Sequence, residues 1–296
     1  MTGGRKIDLK AEIEALKARA RGVFGTTPPP GRTPEPPRPR AAEPKPEPPE
    51  PRPPRPSGPL ELLVPGATTR TEAGELWRVA GPASLVCPES PRIHGEYIEA
   101  LAGEAPASGS PAAPLEILQK AGAGGILYLD IETTGLSNSP LFLVGLMYSA
   151  PEGLVIDQLF ARDYTEEAAV LAATAQAIAR YPLLVTFNGA RFDIPFISER
   201  LLVHGLPAPP GPVHVDLLPV SRAICAGRTP NHRLQTLERY VLGRKRVGDI
   251  PGAEIPGAYH EFVRTGNAGE MAAVIHHNRL DLLSMLELVT VYLTRV

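Results

Sequence analysis

The run Leu127-Tyr128-Leu129-Asp130-Ile131-Glu132-Thr133-Thr134-Gly135 constrains this chain more than any other stretch. An apolar, strand-forming segment ends in two acids two residues apart. Side chains alternate across a strand, so Asp130 and Glu132 project from the same face. Neighbouring carboxylates repel each other and lose hydration on burial unless a cation lies between them. Hard oxygen ligands of this kind suit Mg²⁺ or Mn²⁺. An isolated Asp-x-Glu more often marks a strand with one solvated face. Two further acidic motifs downstream lift this one above that default.

The second motif is Thr186-Phe187-Asn188-Gly189-Ala190-Arg191-Phe192-Asp193. Leu183 to Phe187 reads as a buried strand and Asn188-Gly189 as a turn. Asp193 then opens a helix that runs to about His204, where Gly205 can stop it. Asp193 suits either a metal ligand or an acid complementing the helix dipole. The third motif, His276-His277-Asn278-Arg279-Leu280-Asp281, lies on a helix expected over 267–294. At about 100° per residue, Met271, Val274, Ile275, Leu282, Met285, Leu286 and Val289 form one apolar stripe. His277 and Asp281 share a flank of it, while His276 lies roughly opposite Asp281. Helical geometry therefore selects His277 as the functional histidine.

Together these motifs resemble the DEDD exonucleases of the ribonuclease-H-like superfamily. Asp130 and Glu132 match the first motif, Asn188-x-x-x-Phe192-Asp193 the second, and His277-x-x-x-Asp281 the third in position. Family members with a histidine space it as His276-x-x-x-x-Asp281 would; members with a tyrosine use the spacing of His277. Both histidines thus remain candidates on the family pattern. The stretches His232 to Glu238, Gly248-Asp249-Ile250-Pro251-Gly252, Phe262 to Gly266 and His277 to Ser284 are similar to the YprB-like branch of bacterial ribonuclease-H-like proteins. That resemblance runs from about residue 60 to the end.

The resemblance implies an α/β fold, a mixed five-stranded sheet flanked by helices. It implies that Asp130, Glu132, Asp193 and Asp281 hold two divalent ions, Mg²⁺ or Mn²⁺, and that the histidine takes a proton from water. It implies 3′→5′ exonuclease action on the single-stranded 3′ end of DNA or RNA. The resemblance also implies that backbone groups around Thr133 and Thr134 meet the terminal nucleotide; Asn188 and Phe192 of the second motif, and Arg191 as a phosphate contact, complete the candidate substrate-binding residues. A structure-selective endonuclease on the same fold, and a silent nucleic-acid-binding or scaffold protein, are the alternatives.

Periodicity gives the order of elements. Strands Ile126–Ile131, Leu141–Ser149 and Leu154–Phe160 form a meander, with turns at 137–140 and 151–153. Helix Thr165–Arg180, strand Leu183–Phe187, helix Phe192–His204 and a short strand Val213–Val215 follow. Leu76 to Val79 suits a strand beside the domain. Asp216 suits an outer acid of the site or the N-cap of a helix over 217–223.

Composition divides the remainder. Residues 28–59 are half proline and cannot bury enough apolar surface to offset chain entropy, so a disordered, Pro-rich linker is expected. Residues 1–27 carry a short amphipathic helix, residues 60–120 an N-terminal extension, and residues 121–296 the nuclease domain. The first helix and the arm could engage a protein partner. No apolar run reaches membrane-spanning length. Cys87 and Cys225 show no metal spacing and fit a reducing cytoplasm. A net charge of −2 gives no global attraction for nucleic acid. Positive charge concentrates locally at Arg228, His232, Arg233, Arg239, Arg244, Lys245 and Arg246, where phosphate contacts are expected.

Overall fold

The computed structural model describes residues 55–136 and 138–295. The expected first helix, the linker up to residue 54 and Ser137 lie outside the described residues. In chain order the strands are β1 (Ala67–Thr71), β2 (Gly74–Pro82), β3 (Ile126–Thr133), β4 (Leu141–Ala150), β5 (Gly153–Phe160), β6 (Leu183–Thr186) and β7 (Val213–Asp216). They form one sheet in the order β1-β2-β5-β4-β3-β6-β7. Pairing is parallel for β3–β6 and β6–β7 and antiparallel elsewhere. The five expected strands are all present. The sheet has seven rather than five because the β1–β2 hairpin adds to the free edge of β5, with Trp77 opposite Phe160.

The helices used below are α1 (Leu60–Leu63), α2 (Ser90–Ala102), α3 (Glu116–Ala121), α4 (Glu167–Ile178), α5 (Asp193–Val203), α6 (Leu217–Ile224), α7 (Leu234–Tyr240), α8 (Ile255–Thr265) and α9 (Gly269–Arg295). Alternation along β3 sends side chains into two cores. Leu127, Leu129 and Ile131 pack with α4 and α8; Ile126 and Tyr128 pack with α2, α3 and α6. The long helix α9 serves both. Its Met271, Val274 and Ile275 enter the first core, and its Leu282, Met285, Leu286 and Val289 enter the second. Every residue of the expected apolar stripe is buried, but one straight stripe feeds two cores because the 27-residue helix is about 40 Å long.

One glycine permits this helix to lie close to the sheet. Asp130, Gly145 and Gln158 stand opposite one another across β3, β4 and β5. A Cβ on Gly145 would lie only 2.0 Å from Asn278 Oδ1 of α9. The missing side chain gives the Asn278 amide its place between Asp130 and Gln158.

Residues 55–59, part of the expected linker, are tied to the domain. Arg55 Nη2 donates to Gly248 O at 3.1 Å and Arg55 pairs with Glu270. Gly58 N donates to Asn267 Oδ1, and Ala268 N donates to Gly58 O. Among the described residues no helix is long and apolar enough to cross a membrane.

Candidate active site

Three separate segments carry the acids to one place. Asp130 and Glu132 occupy the end of β3, and the strand register shifts immediately after, between Glu132 and Thr133. Such a bulge redirects side chains at a strand end. Asp193 begins α5, reached from β6 through the turn at 188–192. Asp281 and His277 lie one turn apart on α9.

The turn before Asp193 is held by Asp216. Its carboxylate accepts from the amides of Asn188 at 2.8 Å, Ala190 at 3.1 Å and Leu218 at 2.9 Å. Asp216 therefore caps α6 and also fixes the chain that delivers Asp193. Asn188 sits in the left-handed region with φ 66°, which asparagine tolerates better than most residues. Gly189 lies so close to Thr186 that a Cβ would approach its hydroxyl to 2.2 Å.

The acids raise one another's proton affinity. Asp193 is 4 % exposed, and burial, with the charges of Asp216 and Asp281, pushes its carboxyl up to about 7 despite backbone hydrogen bonds. Glu132 is pushed up to about 8 by burial and by Asp281, Asp193 and Asp249, against the opposing charge of His277. Asp130 is raised well above the usual carboxylate range by burial and by Asp281, Glu132 and Asp193. Asp281 is raised by burial, with Arg246 and His277 pulling it down.

Polar neighbours hold these acids in place. Asn278 Nδ2 donates to Asp130 Oδ2 at 2.8 Å, while its Oδ1 accepts from Gln158 Nε2 at 2.8 Å. Arg279 Nε closes the chain by donating to Gln158 Oε1 at 2.6 Å. On the other side Arg246 donates to Asp281, to Glu238 and, at 3.0 Å, to Asp249 Oδ2. His277 is 7 % exposed and its Nδ1 lies 2.9 Å from both oxygens of Asp249. Burial opposes charge on His277, but Asp249, Asp281 and Glu132 outweigh it and raise the ring to about 9. His276 is exposed and lines a cleft of about 200 Å³ with Arg55, Gly248 and Asp249.

Thr133 and Thr134 shape the loop after β3. Thr133 Oγ1 donates to Gly135 O at 2.6 Å, and both the hydroxyl and the amide of Thr134 donate to Pro140 O. Phe192 is half-buried against Phe196, and Arg191 is exposed. The basic segment divides. Arg228, Arg233 and Arg239 are exposed, whereas Arg246 turns inward to the acids and Arg244 pairs with Glu287. Sequence reasoning gave no role to Asn278, Gln158, Asp249 or Glu238, although all but Gln158 stand in stretches that carry the resemblance; a lone acid on a loop, as Asp249 is, has no period to mark it.

Among the described residues no three His, Cys, Asp or Glu side chains already close on one point as metal ligands. The donor chemistry nevertheless fits a hard divalent cation. Four carboxylates are drawn together, and the burial and mutual repulsion that raise their proton affinity would be relieved by positive charge among them.

A mixed α/β sheet with acids at the end of an inner strand and on the helices beside it defines a ribonuclease-H-like protein. The family model described as RNase_H_2, RNase_H superfamily, matches residues 127–293, and the chain belongs to that superfamily. It is 30% identical over 168 residues to a Bacillus subtilis protein named "Uncharacterized protein YprB", across 55% of this chain and 40% of that one. It is 32% identical over 97 residues to DNA polymerase 1 of Aeropyrum pernix, across 32% of this chain and 10% of the polymerase. The chain thus spans well under two thirds of either relative. Solved structures with partial likeness include the family B DNA polymerase of Pyrobaculum calidifontis (TM-score 0.43, 18% identity, 55% of this chain and 24% of that one). Another is E. coli exonuclease I in complex with a dT13 oligonucleotide (TM-score 0.39, 18% identity, 57% and 41%).

Proposed function

We propose that this protein is a metal-dependent nuclease, a 3′→5′ exonuclease on single-stranded DNA or RNA. The observation that carries the reading is the meeting of Asp130, Glu132, Asp193 and Asp281 with His277 beside one strand end. Membership of the RNase_H superfamily and the match to a DNA polymerase segment support it.

Asp130, Glu132, Asp193 and Asp281 would hold Mg²⁺ or Mn²⁺, two ions in the full site. When bound, the ions would make a water acidic enough to attack and stabilise charge on the leaving oxygen. The other steps belong to the chain. His277 takes the proton of the attacking water through Nε2, the nitrogen facing Asp281. Well below pH 9 the surrounding carboxylates keep this ring protonated; positive charge among those carboxylates would remove that attraction and free the ring to act as a base. Asn278 keeps Asp130 from rotating, and Arg246 does the same for Asp281. The loop at Thr133 and Thr134, with Asn188, Arg191 and Phe192, meets the strand terminus.

The test is hydrolysis of 5′-labelled single-stranded DNA and RNA in Mg²⁺, Mn²⁺ or EDTA, beside Asp193→Asn. A metal-dependent ladder that shortens from the 3′ end, absent in the variant, is expected. Internal cuts would replace the exonuclease reading by an endonuclease. Binding without cleavage would overturn catalysis altogether.

A further inference from the structure

We propose that Asp249 is the positioning residue for the histidine base, fixing the His277 ring so that Nε2 faces the acids. The inference rests on the nuclease reading for its chemistry but on local geometry for its substance. Asp249 is contributed by the loop between α7 and α8, 28 residues from His277 in sequence. Both of its oxygens lie 2.9 Å from His277 Nδ1. An ionised carboxylate can only accept, so the nitrogen that faces it carries the hydrogen. In the neutral ring the lone pair then belongs to Nε2. That atom lies 3.6 Å from Asp281 Oδ2, on the side of the candidate ligands.

Asp249 is itself immobilised, as an orienting group must be. Arg246 Nη1 donates to its Oδ2 at 3.0 Å, and the Ile250 amide donates to its Oδ1 at 2.9 Å. Gly248, just before it, has φ 71°, a conformation that side-chain-bearing residues rarely adopt. The Gly248 carbonyl is gripped by Arg55. The carboxylate is thus set by a guanidinium, a backbone amide and a left-handed turn before it meets the imidazole. A plain structural ion pair would need only proximity; a two-oxygen cradle on one ring nitrogen restrains rotation and tautomer together.

The experiment uses the full chain with ¹⁵N-labelled histidine, the His277 signals being assigned with His277→Gln. Asp249→Asn and Asp249→Glu are compared with the wild type for imidazole ¹⁵N shifts across pH, with and without Mg²⁺. Thermal melting, Mn²⁺ affinity and oligonucleotide hydrolysis are measured beside them. In the wild type the neutral ring should carry its hydrogen on Nδ1. In Asp249→Asn the population should move towards the Nε2–H form, with Mn²⁺ affinity unchanged. Its kcat should fall about 10²-fold with little change in KM, since a general base is worth about 10²–10⁴-fold. Asp249→Glu should restore part of both signals. An Nε2–H ring in the wild type, or a wild-type spectrum in Asp249→Asn, overturns the positioning role. A changed spectrum with undiminished kcat overturns its link to catalysis. If the wild type cleaves no strand, the nuclease reading fails and takes the base role with it, while the spectrum still decides whether Asp249 orients the ring.

Discussion

Asn278 donates through Nδ2 to Asp130 and accepts through Oδ1 from Gln158, so neither end of its amide can turn without losing a buried bond. Asn278→Ala removes the side-chain donor to Asp130 and one of the two bonds of Gln158 Nε2, leaving that to Ile275 O. It should cost about 1–3 kcal/mol of stability by chemical denaturation and lower kcat more than it changes KM. The acids make stability depend on pH. Asp193 and Glu132 hold protons up to about 7 and 8 in the folded chain, against ordinary values of 3.8 and 4.5. Their stabilisation is complete below about pH 4 and disappears as pH rises through 7 to 8. His277 acts in the same direction, its contribution complete below 6.5 and lost through about 9. Asp249 opposes them only in acid, since its depressed carboxyl loses its contribution as pH falls. Tm in EDTA should therefore decline between about pH 4 and 9, and Mg²⁺ should flatten the decline by binding the ionised acids. A Tm that rises over that window would contradict the crowding of these carboxylates.

The contact of α9 with β4 carries the next scale. Gly145→Ala should destabilise by about 1–3 kcal/mol, the usual cost of overpacking, because the new methyl meets the Asn278 amide. Adding Asn278→Ala should recover much of that loss without restoring hydrolysis, and a double-mutant cycle measures the coupling. Elements were legible where a pattern existed. The strands from Ile126 to Val215 read as short apolar runs bounded by turn residues, and the helix bearing Asp281 follows from the 3.6-residue repeat. The β1–β2 hairpin was only half visible. Ala67-Thr68-Thr69-Arg70-Thr71 is polar and largely exposed, and its pairing on β5 is a long-range event. The acids of β3 were legible because they share a strand face. Asp249, Arg246 and Gln158 were not, because their roles come from partners 28, 35 and 120 residues away.

For the whole molecule, Arg55 marks where the described fold begins. Its bonds to Gly248 and Glu270 reach the loop of Asp249 and the start of α9. Arg55→Ala within the full chain should lower Tm and broaden the His277 signals, as measured by calorimetry and NMR. The passage of α9 through both cores has one more consequence. Its middle, from Val274 to Leu286, can leave the sheet only if packing in both cores gives way at once. Backbone amides in that stretch should exchange with heavy water only through global unfolding, more slowly than those of α7, which lies over a single core. The segment that presents His277 and Asp281 would then be the last part of the protein to open its backbone to solvent.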